Sequence, residues 1–335
     1  MRPVLAMTPA ELAEVLGGEG RAKDVFALLR EGKDPRHALP PGPRRRLIER
    51  TAPTVLEVVE SLESADGTVK LRVRLADARE IETVLIPSPR RTTLCISSQV
   101  GCARACRFCS TGTMGLLRNL SPDEIAGQVA LGHQLVRERA LPSLSNVVLM
   151  GMGEPLDNFE HVKTALTIIV GSSGLGIGRR HLTLSTVGPT AQAVRKAGVL
   201  DVPLAWSLHA ADDALRRRLI PTARTSVSAL LEAFQEALAP RQAPLFVEVT
   251  LIDGVNDGPE QAEAIVTLFA GFPSEVRVNL LPMNSIGHAE LGPARAERVR
   301  AFKDVLAQAG LRALVRQARG ADQASACGQL VTRNG

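Results

Sequence analysis

Beyond about residue 88 the apolar positions keep two alternating rhythms. Short strand-like runs stand at 93–97, 146–150, 181–186, 203–207, 245–251 and 276–281. Between them, over 160–170, 190–196, 228–238, 259–270 and 294–309, apolar residues recur three and four apart, the stripe of an amphipathic helix. A further helix starts at Ser121-Pro122-Asp123-Glu124, a capping box with proline in the first turn. Strand–helix alternation implies parallel strands joined by helical crossovers, and six such units predict an α/β fold, a partial (β/α)6 barrel. In barrels of this kind chemistry collects at the C-terminal ends of the strands.

Upstream the pattern changes. The first 50 residues or so read as short helices, one opened by the capping box Thr8-Pro9-Ala10-Glu11 and a second over 21–30. The segment HALPPGPRRR is expected to break helix and to gather Arg44, Arg45 and Arg46, a solvated cluster or a phosphate contact. Strict alternation over 68–76 and 80–86, separated by Asp77-Ala78-Arg79, predicts a β-hairpin with Glu82 on its second strand.

Bulk properties narrow the class. A chain of 335 residues can bury one large core and a smaller one, and 45% apolar with 22% charged residues is ordinary for a globular protein. No apolar run is long enough to span a bilayer, and MRPVLAMTPAELAEVL lacks the apolar region of a secretion signal, so a cytoplasmic protein without a membrane partner is expected. A net charge of +5 permits an acidic partner such as RNA. Aromatic residues are 3% with no Tyr, which argues against a base-stacking platform.

The chemistry is concentrated in TLCISSQVGCARACRFCSTGTMGLLRN, which holds four of the five cysteines. Cys102, Cys106 and Cys109 are spaced C-x3-C-x2-C, Cys95 lies upstream, and Cys327 stands alone near the far end. Five unevenly placed cysteines do not make a disulfide framework; a reducing compartment with only transient disulfides suits them. Thiolates suit zinc, copper(I) or iron–sulfur clusters. A closed zinc site usually takes two separated pairs of ligands, whereas three cysteines on a four-iron cluster leave one iron open, and an open position signals chemistry.

The triplet is similar to the cluster loop of the radical S-adenosylmethionine (SAM) enzymes. Cys95-x6-Cys102, the SSQVGC lead-in, the FCSTG tail and CGQL around Cys327 together resemble the RlmN/Cfr family of RNA adenosine methyltransferases, over residues 80 to 330 or so. The resemblance implies a radical SAM barrel preceded by a small helical accessory domain that binds RNA. The expected division is 1–60 accessory domain, 61–87 linking hairpin, 88–316 radical SAM core and 317–335 C-terminal segment. It also implies that Cys102, Cys106 and Cys109 hold a 4Fe-4S cluster. Gly153 and Glu154, in a GEP motif after a strand, hold the SAM amino group. Ser185 in LST, Ser207, Leu208 and His209 in SLHA, and Asn284 in NLLPxN contact SAM. Ser285 departs from the family, which has Pro there. The runs Arg216-Arg217-Arg218 and Arg316-Gln317-Ala318-Arg319-Gly320 are solvated faces or RNA contacts.

The implied reaction is methylation of an adenosine carbon, C2 or C8, in 23S rRNA and in tRNA. The Cys327 thiolate takes a methyl group from one SAM. The cluster reduces a second, whose 5′-deoxyadenosyl radical abstracts hydrogen from that methyl, and the methylene radical adds to adenine. Glu82 accepts the proton lost from the ring. Cys95 then attacks the Cys327 sulfur, forming a transient disulfide and releasing RNA; this requires the two Cα atoms within about 7 Å. A flavodoxin-like electron donor and a thioredoxin-like reductant are implied, and the protein is expected to be a monomer. Two other readings remain at this point: a radical SAM enzyme acting on a small molecule or peptide, which would not need Cys95 and Cys327, and an RNA-binding protein with structural zinc.

Overall fold

The computed structural model describes residues 1–286 and 291–332. Four short helices open the chain: Pro9–Leu16, Glu19–Arg30, Pro35–Ala38 and Pro41–Arg50. The first carries the expected reciprocal cap, with Glu11 N donating to Thr8 Oγ1 at 3.3 Å and Thr8 N to Glu11 Oε2 at 2.8 Å. HALPPGPRRR breaks helix as expected, at Leu39 and Pro40, and a new helix then starts within it. Pro41 takes the first helical position, where a missing N–H costs nothing, and Arg44 to Arg46 ride on the helix it starts.

The strands are β1 (Leu56–Glu63), β2 (Val69–Leu75), β3 (Glu80–Ser88), β4 (Arg91–Cys95), β5 (Gln99–Gly101), β6 (Leu116–Asn119), β7 (Leu144–Leu149), β8 (Leu182–Thr186), β9 (Leu204–Ser207), β10 (Leu245–Leu251), β11 (Val276–Pro282) and β12 (Arg312–Val315). Among the described residues, all but β5 and β6 form one ten-stranded sheet in the order β1-β2-β3-β4-β7-β8-β9-β10-β11-β12. From β4 to β12 every neighbouring pair is parallel. The six expected barrel strands are present, and β12 adds a seventh parallel strand. The expected hairpin is β2 with β3, but it is no mere link. Paired antiparallel to β4 through β3, and extended by β1, it continues the barrel sheet.

Helices Pro122–Glu138, Phe159–Ile169, Ala191–Ala197, Val227–Leu238, Pro259–Phe269 and Ala296–Gln308 supply the crossovers, with buried stripes such as Val162, Ala165, Leu166 and Ile169 facing the sheet. A further helix, Asp213–Leu219, was not expected. Polar ties fix the first βα unit. The buried Gln128 takes Thr83 Oγ1 at 2.6 Å and Ser97 N at 2.8 Å, and returns Nε2 to Ser97 O at 3.0 Å. Arg118 grips both oxygens of Glu124 at 2.8 Å and Asp77 at 2.7 Å, joining β6, the following helix and the β2–β3 turn.

The strand that opens the cysteine loop depends on a glycine. Gly101 sits at φ +75°, and a Cβ there would lie 1.9 Å from the carbonyl oxygen of Gly115, while Cys102 N donates to that same oxygen at 2.9 Å. Gly101→Ala is therefore expected to lower unfolding stability by at least roughly 1–3 kcal/mol, the cost of backbone strain alone. An unchanged midpoint in a denaturant titration would contradict this placement.

Candidate active site

The chain leaves β4 at Cys95, turns through β5, and sends the cysteine loop out before returning along β6. Backbone bonds dock the loop on two distant segments. Arg107 N donates to Leu219 O at 2.9 Å, and Ser110 N to Gly328 O at 2.7 Å. Side chains add Thr222 Oγ1 to Arg104 O at 2.9 Å and Thr111 Oγ1 to Leu330 O at 2.6 Å. Thus the loop is held between the helix Asp213–Leu219 and the C-terminal tail.

Cys102, Cys106 and Cys109 line one cavity of about 160 Å³ at the C-terminal ends of the strands. Across it stand Gly153, Glu154, Ser185, Ser207, His209, Asn284 and Cys327. Gly153 follows β7 at φ +104°, where a Cβ would come 2.6 Å from Gln99 Cβ, so backbone forms that wall. Glu154 accepts from Leu156 N and Val187 N, both at 3.0 Å, and donates its own N–H to Gln99 Oε1 at 2.8 Å. Ser185 Oγ and Ser207 Oγ lie 3.0 Å apart on neighbouring strands. His209 takes a left-handed backbone, φ +61°, and its Nδ1 accepts from Thr250 N at 3.1 Å, which leaves the ring proton on Nε2. Its ring packs on Phe108 with centroids 4.4 Å apart. Leu208 is buried, with its N–H on Glu248 O at 3.1 Å; its side chain does not line the cavity. Asn284 donates from Nδ2 to Cys327 O at 3.0 Å.

A second cavity, about 310 Å³, adjoins the first and shares Met150, Glu248, Asn284 and Cys327 with it. Cys95 lines this second cavity. Cys327 therefore stands between the triplet on one side and Cys95 on the other. Glu82, like Leu208, stands apart from both cavities. It shares a strand face with Val84 and Ile86, which line the second cavity, but it lines neither. Its Oε2 accepts from Val331 N at 2.8 Å and its Oε1 lies 3.2 Å from Lys70 Nζ. Burial raises its pKa against the pull of Lys70.

With this geometry in hand, the comparisons are specific. The profile of the radical SAM superfamily matches residues 96–266. The chain is 45% identical over 280 residues to "Dual-specificity RNA methyltransferase RlmN 2" of Myxococcus xanthus, covering 81% of this chain and 73% of that one. It is 38% identical to "Dual-specificity RNA methyltransferase RlmN" of Dinoroseobacter shibae, covering 98% and 89%. The crystal structure of a radical SAM methyltransferase from Sphaerobacter thermophilus matches over the whole of both chains, with 36% identity and a TM-score of 0.91. The chain belongs to the RlmN/Cfr family of radical SAM enzymes.

Radical SAM proteins carry a 4Fe-4S cluster and SAM, and the residues of the first cavity fit both. Burial pushes the cysteine thiols up, Cys102 to about 12, so they stay protonated until a metal core displaces the protons. No three His, Cys, Asp or Glu side chains among the described residues converge on a single-ion site. Thiols spread around a loop suit a cluster whose irons each take one sulfur. The cradle beside Gly153, with a carboxylate at its edge, suits an ammonium group.

Several site residues were not singled out from the sequence. Glu248 lies at the wall shared by both cavities. Its Oε1 accepts from Asn279 Nδ2 at 2.7 Å, and Asn279 Oδ1 accepts from Arg316 Nε at 2.8 Å. The signal was available: a carboxylate at the centre of β10 and an amide at the centre of β11 sit between apolar neighbours in parallel strands. Arg316 and Arg319, read as RNA contacts or solvated, turn to the protein. Arg319 donates to Asp66 Oδ2 at 2.6 Å and to Pro87 O at 3.0 Å.

Burial raises the Glu248 carboxyl from the ordinary 4.5 to about 7, and it does the same for Glu154. In the window between those values the folded protein keeps a proton that the unfolded chain has released, so rising pH favours unfolding. His209, held neutral at about 3 by burial, works in the opposite direction, so a difference between two proteins is the readout. Glu248→Gln keeps the Asn279 bond and is expected to lose less stability than wild type between pH 5 and pH 7, by on the order of 1–3 kcal/mol. Parallel stability curves for the metal-free proteins would contradict the assignment.

Proposed function

We propose that this protein methylates an adenosine carbon in RNA, C2 in 23S rRNA and in tRNA, through a methyl group carried on Cys327. The observation that carries this reading is the position of Cys327 between the cluster-loop cavity and the cavity that holds Cys95. The relatives named as dual-specificity RNA methyltransferases support RNA as the substrate class.

In this reading Cys102, Cys106 and Cys109 bind the cluster, and Gly153, Glu154, Ser185, Ser207, His209 and Asn284 surround SAM, with Leu208 contributing backbone. Cluster and SAM together supply a one-electron cleavage that gives a 5′-deoxyadenosyl radical, the hard chemistry that the protein only orients and shields. Two SAM molecules serve each turnover, one as methyl donor and one as radical source. Cys327 gives up its thiol proton and takes the methyl group. After loss of one hydrogen that carbon bonds to the adenine ring, a position too poorly nucleophilic for direct attack on SAM. One electron leaves the adduct, for which the cluster oxidised in SAM cleavage would be the acceptor, and Glu82 accepts the proton that restores aromaticity. For this Glu82 must exchange Val331 N–H or Lys70 for the departing proton. Cys95, having given up its thiol proton, attacks the Cys327 sulfur; the new S–S bond replaces the C–S bond of the adduct, the released carbon keeps the bonding pair and takes up a proton to become the methyl group, and a thioredoxin-like dithiol reduces the disulfide. A flavodoxin-like donor supplies the cluster electron. The adenine leaves its stack to reach the sulfur, which costs a few kcal/mol in a duplex and less in loop RNA. The protein acts as a cytoplasmic monomer, with the helical segment 1–60 contributing to RNA binding, the hairpin 61–87 joined to the barrel sheet, the radical chemistry in 88–316 and the methyl carrier in 317–335.

Anaerobically reconstituted protein, incubated with SAM, reductant and either rRNA or tRNA, is expected to yield 2-methyladenosine by mass spectrometry. 8-Methyladenosine would reassign the carbon, and no methylated base in either RNA would overturn the reading. Cys327→Ala is expected to abolish methylation while 5′-deoxyadenosine is still formed; unimpaired methyl transfer would rule out the carrier role. Cys95→Ala is expected to leave RNA covalently attached at Cys327, because nothing then breaks the C–S bond. Normal turnover in that variant would rule out the resolving role.

A further inference from the structure

The helix Asp213–Leu219 carries three consecutive arginines, and the fold treats them unequally. Arg217 and Arg218 are exposed, whereas Arg216 is only 1% exposed. Its Nε donates to Leu208 O at 3.3 Å and its Nη2 donates to Val187 O. Those two carbonyls belong to the segments that leave β9 and β8, the strands that end at Ser207 and Thr186. The same helix is the seat of the cysteine loop. Cys106 packs with Leu215 and Leu219, and Arg107 N is bonded to Leu219 O at 2.9 Å.

A guanidinium is always charged, and burying one without a counter-charge is expensive. Among the described residues no carboxylate forms an ion pair with Arg216. Asp213, one helical turn away, spends Oδ1 on Val227 N at 2.8 Å. Val187, whose carbonyl takes the Nη2 proton, lines the first cavity, and so does Cys106, which packs on the same helix. The buried cation therefore faces the place where thiolates would gather.

We propose that Arg216 is the fixed counter-charge of the iron–sulfur cluster, a positioning residue that raises the cluster's reduction potential. This rests on the reading of Cys102, Cys106 and Cys109 as cluster ligands. Three thiolates on the core leave it net negative, and reduction adds one more electron, taken from the external donor. A permanent positive charge behind Cys106 stabilises the reduced form more than the oxidised one, and net charge is among the terms that set cluster potentials. Arg217 and Arg218, in water on the same helix, are screened and do not share the role.

The test uses reconstituted holoprotein, with iron and sulfide content measured first and the midpoint potential then followed by redox titration with electron paramagnetic resonance. Arg216→Gln is expected to move the midpoint to more negative potential at full cluster content, while Arg216→Lys, which keeps the charge, and Arg217→Gln leave it at the wild-type value. If Arg216→Gln loads no cluster but Arg216→Lys does, the charge is still what the site requires. A wild-type midpoint in Arg216→Gln overturns the proposal. So does loss of the cluster in both Arg216 variants, since the carbonyl ties would then be the whole role. Wild-type protein that binds no iron and sulfide would instead defeat the reading of the cysteines.

Discussion

The site depends on the strap that follows β12. After the last strand the chain turns back across the first strands of the sheet, and paired polar groups hold it there. Arg319 and Gly320 N both reach Asp66 Oδ2, at 2.6 and 3.2 Å, and Asp322 accepts from Ala65 N at 3.1 Å. Lys70 Nζ donates to Ala324 O at 3.1 Å. Past Cys327 the tail is fastened again, by Gly328 O on Ser110 N, Leu330 O on Thr111 Oγ1 and Val331 N on Glu82. Cys327 is thus suspended between two anchored stretches over an open barrel. The strap grips the β1–β2 turn together with β2 and β3, so these strands serve as its anchor as well as continuing the barrel sheet.

Near the site the protein buries several ionisable groups. Glu154, Glu248, His209 and Arg216 are buried, and burial disfavours the charged form of each. An extensive apolar core, from Leu71 and Val73 in the hairpin to Phe302 and Leu306 in the last helix, offsets this cost. Perturbed groups gathered in one cleft are the physical mark of a functional site.

The barrel strands were legible because both faces of each are covered, so β7, β8, β9 and β10 read as short runs in which Leu, Val, Ala or Trp recur. The long helices were legible from their stripes and caps. The helix Asp213–Leu219 was hidden because seven residues with three arginines look like a solvated run, and only packing against the cysteine loop shows that Arg216 points inward. Strand β12 is short and half exposed, so it lacks the apolar signature of its neighbours. The proline-rich segment before Arg44 was legible as a helix break, and Pro41 also starts the next helix because proline suits the first helical position. Cys327 is a different case. Nothing around it in sequence says where it lies, and only resemblance linked it to Cys95. The structure puts both against one cavity.

The most direct measurement is peptide mass spectrometry of the reconstituted protein after incubation with SAM and no RNA. The account expects one added methyl group, on the sulfur of Cys327, with Cys95 and the three loop cysteines unmodified. A methyl group on any other residue, or none on Cys327, would contradict it.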